Sequence, residues 1–269
     1  ALPDGRSGWV VGAQGAAMRT DDGGEHWNAV DTGTSTDFHA VRASADGRSV
    51  WVAGDDGTLA RTGDGGATWR QYTIGSTERI GAIAMSGDDS RVVAVGGNNL
   101  LASSSDAGDS WLLRHISGTS AGFRSVQLGG DGQKGWAVGA GGTIVLTEDG
   151  GSTWHIQTSG TESDLAGLSL AADGKAGWAV GTGIVLRTET GGETWVAQEP
   201  DTSAPLLSVA SAPDGQVGWT SGHDKALLSS DDKGMSWTSA PTRSQRLAIS
   251  LMNEIFMARD ALAAYLDSS

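Results

Sequence analysis

One acidic, glycine-rich stretch, "TEDGGSTWHIQ" at 147–157, carries residue types that could bind a ligand. A carboxylate beside two glycines, Asp149-Gly150-Gly151, could coordinate a calcium ion or leave backbone amides free for a phosphate. The same residues also suit a tight turn, because Asp accepts bonds from nearby amides and Gly adopts positive φ. The rest of the chain decides between a ligand site and a corner of the fold.

The stretch is one of six copies of a box with the pattern Ser/Thr-x-Asp-x-Gly-x-x-Trp, spaced by 42, 42, 43, 41 and 42 residues. The fifth copy has Thr190 where the others have Asp. A metal site would lose a ligand there, whereas a turn would keep a weaker bond. The boxes are therefore predicted to be corners and not metal sites. Their acids and tryptophans are Asp22, Asp64, Asp106, Asp149, Asp232, Trp27, Trp69, Trp111, Trp154, Trp195 and Trp237.

A second motif recurs once in each repeat, with the same period as the box, in forms such as "GWVVG" at Trp9, "VWVAG" at Trp51 and "GWAVG" at Trp136. Together the two motifs contain all eleven tryptophans of the chain. No tryptophan is left over as a separate stacking platform, so we expect these aromatic side chains to pack the fold.

Each repeat reads as four short strands separated by Gly/Asp turns. In the fourth copy we predict strand A at Phe123–Leu128, strand B at Gly135–Val138, strand C at Thr143–Thr147 and strand D at Thr153–Gln157. Four strands in about 40 residues are typical of one propeller blade. The sequence thus predicts an all-β, six-bladed β-propeller of four-stranded blades, or a seven-bladed one if a blade is missing upstream or downstream.

The propeller is predicted to span residues 1–251. "ALPDGRSGW" at the start matches "SAPDGQVGW" at 211–219, so the first repeat begins after its strand A, as in a trimmed or excised chain. "RLAISL" at 246–251 matches other A strands and is predicted to close the ring as the inner strand of blade 1. Residues 252–269 have no Gly and show helical spacing, which predicts a C-terminal amphipathic helix or linker.

Strand A is expected to be the innermost strand, with alternate residues lining a central channel. This places Arg42 and Gln127 in the channel as its only long side chains, and His39 and Arg124 near one mouth. We predict that a ligand or client peptide binds at these four residues. The alternative is a channel that holds only water around an arginine.

No constellation in the sequence supports catalysis. A sialidase needs three arginines and a Tyr nucleophile with a Glu, but the only tyrosines are Tyr72 and Tyr265, an outer strand and the tail. There is no Cys, and the five His are scattered over different blades. We predict no catalytic residues, no metal and no cofactor. A sialidase-like hydrolase and a glycan-binding lectin are the alternatives to a binding protein.

Bulk properties exclude some partners. The net charge of −14 would repel nucleic acid, and no apolar run reaches the length of a membrane span. We therefore expect no nucleic-acid binding and no direct membrane insertion. Arginines at 19, 61 and 187 precede the box in three repeats, while Ser or Leu takes that place in the others. This tolerance predicts an exposed strand edge.

The box resembles the Asp-box, or bacterial neuraminidase repeat. The paired form "GWAVGAGGTIVLTEDGGSTW" is similar to the repeat of the photosystem II stability/assembly factor family, over about residues 1–240. The resemblance implies a soluble, non-enzymatic propeller that binds a protein or peptide client, as an assembly factor or extracytoplasmic sensor or scaffold. It also implies a periplasmic or secreted location. It leaves the oligomeric state open.

Overall fold

The computed structural model describes Leu2, residues 4–171 and residues 174–239. The predicted ring-closing segment 246–251 and the predicted helix at 252–269 lie outside the described residues, so both stay predictions. Tyr265 also lies outside them.

The described residues form six antiparallel sheets, and each sheet is one blade of a propeller. Blade 1 contains β1 Gly8–Val11, β2 Ala17–Thr20 and β3 Asn28–Ala29. Blade 2 contains β4 Phe38–Ala43, β5 Val50–Gly54, β6 Thr58–Thr62 and β7 Arg70–Thr73, and blade 3 contains β8 Ile80–Met85, β9 Val92–Gly96, β10 Leu101–Ser104 and β11 Leu112–Arg114. Blade 4 contains β12 Phe123–Leu128, β13 Gly135–Gly139, β14 Ile144–Thr147 and β15 His155–Gln157. Blade 5 contains β16 Leu165–Leu170, β17 Gly177–Gly181, β18 Ile184–Thr188 and β19 Val196–Gln198, and blade 6 contains β20 Leu206–Ser211, β21 Gly218–Gly222, β22 Leu227–Ser230 and β23 Thr238–Ser239.

Consecutive strands pair within each blade, in the order A-B-C-D from the centre outward. The all-β, six-bladed propeller predicted from the repeats is confirmed. Blade 1 has three strands among the described residues and starts at strand B, as the repeat alignment predicts. In blade 4 the predicted strand A, Phe123–Leu128, has the observed bounds. Strand D begins two residues later than predicted, at His155, because the box turn extends to Trp154.

The turn between strands B and C contains a short 3-10 turn in three blades, at Ala13–Gly15, Asp55–Gly57 and Ala140–Gly142. Its middle residue has a left-handed backbone in each case, with φ of 57° at Gln14, 55° at Asp56 and 60° at Gly141. These turns lie at the end of the propeller where the A strands begin. The boxes lie at the opposite end, between strands C and D.

Each box is closed by its own side chains. Thr147 Oγ donates to Asp149 Oδ1 at 2.9 Å and accepts from Gly151 N at 2.9 Å. Asp149 accepts from Thr153 N at 2.8 Å and from Thr153 Oγ at 2.6 Å. In the fifth box Thr190 Oγ takes over the bond from Thr194 N, at 2.9 Å. The same turn therefore forms with or without the carboxylate, as expected of a corner.

These bonds make the boxes sensitive to acid. Donation from Ser110 and Ser104 lowers the pKa of Asp106 to about 2, and donation from Ser236 and Ser230 lowers the pKa of Asp232 to about 2. The pKa of Asp in an unfolded chain is about 3.9. A lowered folded pKa stabilises the protein above the unfolded value, and this stability is lost as pH falls from about 4 to 2. We expect the Tm to fall over this interval when melting is followed by Trp fluorescence.

The acid-dependent fall should be smaller in Asp106→Asn, because one of the titrating boxes is then removed. A Tm that stays constant between pH 4 and pH 2 would contradict the role of the box carboxylates.

The hydrophobic core lies between blades. Each box tryptophan after the first packs on strand B of the preceding blade, where a tryptophan usually stands. Three of these pairs meet edge to face with ring centroids 5.7–5.9 Å apart: Trp9–Trp69, Trp51–Trp111 and Trp178–Trp237. Since a blade buries its apolar faces only against its neighbours, these contacts hold the blades in register.

The position before the box was predicted to be an exposed strand edge, and this is wrong. Arg19 Nη1 donates to Gly65 O of the next blade at 2.6 Å, and its guanidinium lies 5.9 Å from the Trp9 ring. Arg61 makes the equivalent bond to Ala107 O at 3.2 Å. Ser103 uses its hydroxyl in the same way, on Gly151 O at 3.0 Å. The position therefore ties each of these blades to the box of the next one.

Candidate functional site

The inner strands of blades 2–6 enclose a central cavity of about 360 Å³. The four side chains predicted to bind a ligand, those of His39, Arg42, Arg124 and Gln127, all line it. The rest of the wall is made of small and aliphatic residues, such as Ala82, Gly167 and Ser208. No residue of blade 1 lines the cavity in the part of the chain that the structure describes.

His39 and Arg124 are the second residues of strands β4 and β12, at the mouth where the A strands begin. His39 Nε2 lies 2.8 Å from Asp55 Oδ1, and Arg124 Nη2 donates to Asp164 Oδ2 at 2.7 Å. Asp164 also accepts from Gly141 N at 2.9 Å, and this bond, with the Arg124 charge, lowers the pKa of the Asp164 carboxyl. The His39 and Arg124 side chains are thus held in place by two acids, Asp55 and Asp164, that do not themselves line the cavity.

Arg42 lies deeper, at the fifth position of β4. Its side chain is exposed to the channel, and it makes no hydrogen bond or ion pair with any described residue. The protein atoms around it desolvate the guanidinium and lower the pKa of Arg42. An arginine still keeps its charge at neutral pH. Arg42 is therefore a charged group whose donors are available to a ligand.

Gln127 occupies the corresponding position of β12, but its amide is already bonded. Leu170 N donates to Gln127 Oε1 at 2.8 Å, and Gln127 Nε2 donates to Leu170 O at 3.3 Å. These bonds join blades 4 and 5. Gln127 lines the cavity as predicted, yet its polar atoms serve the contact between blades, and its role toward a ligand stays a prediction.

The wall has a clear electrostatic bias. Among the described residues that line it, the titratable ones are His39, Arg42 and Arg124, and none is an Asp or Glu, although the whole chain carries a net charge of −14. The Ser125 hydroxyl is buried in the same wall and has no hydrogen-bond partner among the described residues. A cavity lined by one sign of charge concentrates its field on a ligand of the opposite sign. Anionic or carbonyl-rich groups fit these donors.

The described part of the wall lacks the groups that a glycosidase would use. None of the described residues that line it is an Asp, Glu, Cys or Tyr, so two facing acids are not found there. His39 is bonded to Asp55, and no described hydroxyl of the wall hydrogen-bonds to it. Tyr72 lies on the outer strand β7, with its ring 4.9 Å from that of Trp51. The tyrosine and arginines of a sialidase site are therefore not assembled among the described residues.

One group of possible metal ligands occurs among the described residues, within the first box. Ligand atoms of Asp22, Glu25 and His26 lie within 4.8 Å of one another at the surface. The Asp22 carboxylate is already used inside the box, since it accepts from Thr20 Oγ at 2.8 Å and from His26 N at 3.0 Å. Exposed acidic groups of this kind are common without an ion.

We expect calcium and EDTA to leave the Tm of the protein unchanged, because the box carboxylates are bonded within their own turns. Differential scanning fluorimetry with 5 mM of either reagent, against buffer alone, tests this. A Tm that drops on chelation and recovers with calcium would show that a box holds an ion.

Sequence reasoning placed the four predicted side chains on one channel but missed what surrounds them. It did not identify Asp55 and Asp164 as partners at the mouth. Asp164 lies directly before strand A of blade 5, so the acid was visible in the repeat but its contact with Arg124, 40 residues away, was not. Among the described residues, no helix has the length and apolar character needed to cross a membrane.

Among the solved structures that share the fold are two of YCF48. "YCF48 bound to D1 peptide" is 23% identical, with a TM-score of 0.68, over 88% of this chain and 78% of that one. "YCF48 from Cyanidioschyzon merolae" is 20% identical, with a TM-score of 0.68, over 88% of this chain and 81% of that one. No curated protein sequence matches this chain.

The family profile described as photosynthesis system II assembly factor YCF48 matches residues 1–77 and 119–203, which is more than half of the chain. This profile covers the blades that supply His39, Arg42, Arg124 and Gln127. The resemblance seen in the repeats is thereby confirmed. The chain is a non-catalytic β-propeller that belongs to the photosynthesis system II assembly factor YCF48 family.

Proposed function

We propose that this protein binds a peptide segment of a client protein at the mouth of its central channel, as an assembly factor. The observation that carries the proposal is Arg42, a charged side chain without a partner among the described residues. The described lining of its cavity contains a second arginine and no acid. A solved relative of the same fold is described as bound to D1 peptide. The net charge of −14 favours a protein client over nucleic acid.

The arrangement suits recognition of a peptide end or an acidic side chain. Arg42 has no hydrogen-bond partner among the described residues inside the cavity, and Arg124 is already oriented at the mouth by Asp164. A carboxylate that enters from the mouth therefore meets Arg124 first and Arg42 further in. Orientation before binding reduces the entropy that binding has to offset.

We expect Arg42→Ala to weaken binding of a fluorescein-labelled D1 peptide at least about tenfold, measured by fluorescence anisotropy. A hydrogen bond to a charged group contributes about 1.5–3 kcal/mol, and about 1.4 kcal/mol corresponds to a tenfold change in Kd. Arg114→Ala is the matched control. Arg114 lies on outer strand β11, so this substitution removes the same charge at a position away from the channel. Equal losses in both variants, or no binding by the unaltered chain, would contradict this site.

We also propose an extracytoplasmic location. This proposal is supported by the resemblance of the repeats to an assembly-factor and sensor family. The cysteine content does not bear on the location, because the chain has no cysteine. Fractionation of the native host with an antibody against this protein tests the location, and recovery in the cytosolic fraction would overturn it.

A further inference from the structure

A second concave surface lies beside the channel mouth, over the top of blade 4. It is an open groove of about 1010 Å³, lined by residues 118–122, 140–143 and 156–162. The first and last of these segments lead into strands A of blades 4 and 5, and the middle one is the turn between strands B and C of blade 4. The groove therefore runs radially, from outer strand β15 toward the channel.

The floor of this groove is linked to the channel mouth by hydrogen bonds through Asp164, although no described residue lines both. Gly141, in the groove floor, donates its backbone N–H to Asp164 Oδ1 at 2.9 Å. The other oxygen of Asp164 accepts from Arg124 at 2.7 Å, and Arg124 lines the channel. The Asp164 carboxylate thus lies between the groove floor and the arginine at the channel mouth, next to the path of a peptide that would occupy both.

The floor of the groove is kept open by the absence of a side chain at Gly141. The equivalent turn residues in blades 1 and 2 are Gln14 and Asp56, with φ of 57° and 55° against 60° at Gly141. This backbone therefore accepts residues with side chains, so its conformation does not require glycine here. A Cβ built at Gly141 would meet nothing within 4 Å. The glycine leaves space where the other two blades place a side chain.

The walls of the groove are polar but almost uncharged. Hydroxyl groups of threonine and serine dominate both loops, and Glu162 is the one charged residue among the lining residues. At the outer end Ile156 is 48% exposed and offers an apolar contact. Such a surface suits an uncharged, extended peptide backbone, with one apolar side chain placed on Ile156.

We propose that this groove binds the stretch of client peptide that precedes the segment held in the channel mouth. The inference rests on the proposed peptide-binding function and adds a second subsite to it. Three spacings of about 4.8 Å between neighbouring strands give a groove about 14 Å long, which fits about four extended residues at about 3.3 Å each. The occupant is thus an uncharged stretch of about four residues, with an apolar residue at its outer end.

The test begins with a phage-displayed library of random 12-residue peptides, selected on the full chain. Enriched peptides are then synthesised, and their affinities are measured by anisotropy against the unaltered protein, Gly141→Gln, Arg42→Ala and Gln14→Gly. Gly141→Gln places the blade 1 side chain in the groove, and Gln14→Gly is the reciprocal control in blade 1. We expect Gly141→Gln to weaken binding at least tenfold and Gln14→Gly to leave it unchanged.

The variants separate the two subsites. Loss in both Gly141→Gln and Arg42→Ala supports groove and channel together. Loss in Gly141→Gln alone supports the groove and overturns the channel site, whereas loss in Arg42→Ala alone overturns the groove. Failure to enrich any peptide overturns both. If Gly141→Gln lowers the Tm by more than a few degrees, Ile156→Lys on the exposed outer strand replaces it, with the same expected loss.

Discussion

Trp154→Ala is expected to lower the free energy of unfolding by about 3–5 kcal/mol, the range for truncating a buried aromatic side chain. Trp154 is 8% exposed and belongs to the buried cluster that contains Val93 and Leu101 of the preceding blade. Its Nε1 also donates to Gly151 O at 3.2 Å, within its own box. The truncation therefore opens a cavity between blades 3 and 4 and removes one of the two donors to Gly151 O, leaving the bond from Ser103 Oγ.

Equilibrium unfolding in urea measures this loss, and Ile156→Ala is its control. Ile156 follows Trp154 by two residues and is 48% exposed, so its truncation is expected to cost less than about 1 kcal/mol. If both variants lose the same small amount, the box tryptophan does not pack the blades together.

Gly108→Ala is expected to cost clearly more than Gly24→Ala, although both glycines take the same place in their boxes. Both have φ of +94°, so both substitutions carry the left-handed penalty of about 1–2 kcal/mol. At Gly108 a Cβ would also overlap the Trp51 ring of the preceding blade. At Gly24 the nearest neighbour among the described residues is the ring of Trp27 in its own box, at 3.7 Å. Overpacking of a core adds about 1–3 kcal/mol.

The difference between these two variants isolates the contact between blades from the backbone conformation. Urea unfolding of both, against the unaltered chain, should give a gap of about 1–3 kcal/mol. Equal losses would mean that the box glycine is needed only for its φ. A larger loss at Gly24 would show that the first box packs on protein outside the described residues.

The blades and their corners could be predicted because the responsible contacts are local. Thr147, Asp149 and Gly151 bond to one another within four residues, so a single box contains everything that closes its turn. The bounds of Phe123–Leu128 followed from a short apolar run between two turn signals. The role of Arg19 was missed because its acceptor, Gly65 O, lies 46 residues away on the next blade.

The candidate site shows the same difference between local features, which could be predicted, and contacts between blades, which could not. The alternation of strand A was enough to place His39, Arg42, Arg124 and Gln127 on one channel, since period two assigns a face to each residue of a strand. It gave no means of telling Arg42 from Gln127, which occupy equivalent positions. The groove over blade 4 was missed as well, because its walls are loops that come together only when blades 4 and 5 are neighbours.

The sequence by itself determined the repeat, the strand order within a blade and the residues that face the channel, because all of these depend on periodicity within about 40 residues. Only the tertiary structure decided which polar groups remained available. Gln127 is bonded to Leu170, 43 residues away, while Arg42 meets no partner among the described residues. Hydrogen bonds between blades depend on the distance between two separate sheets, and no single repeat records that distance.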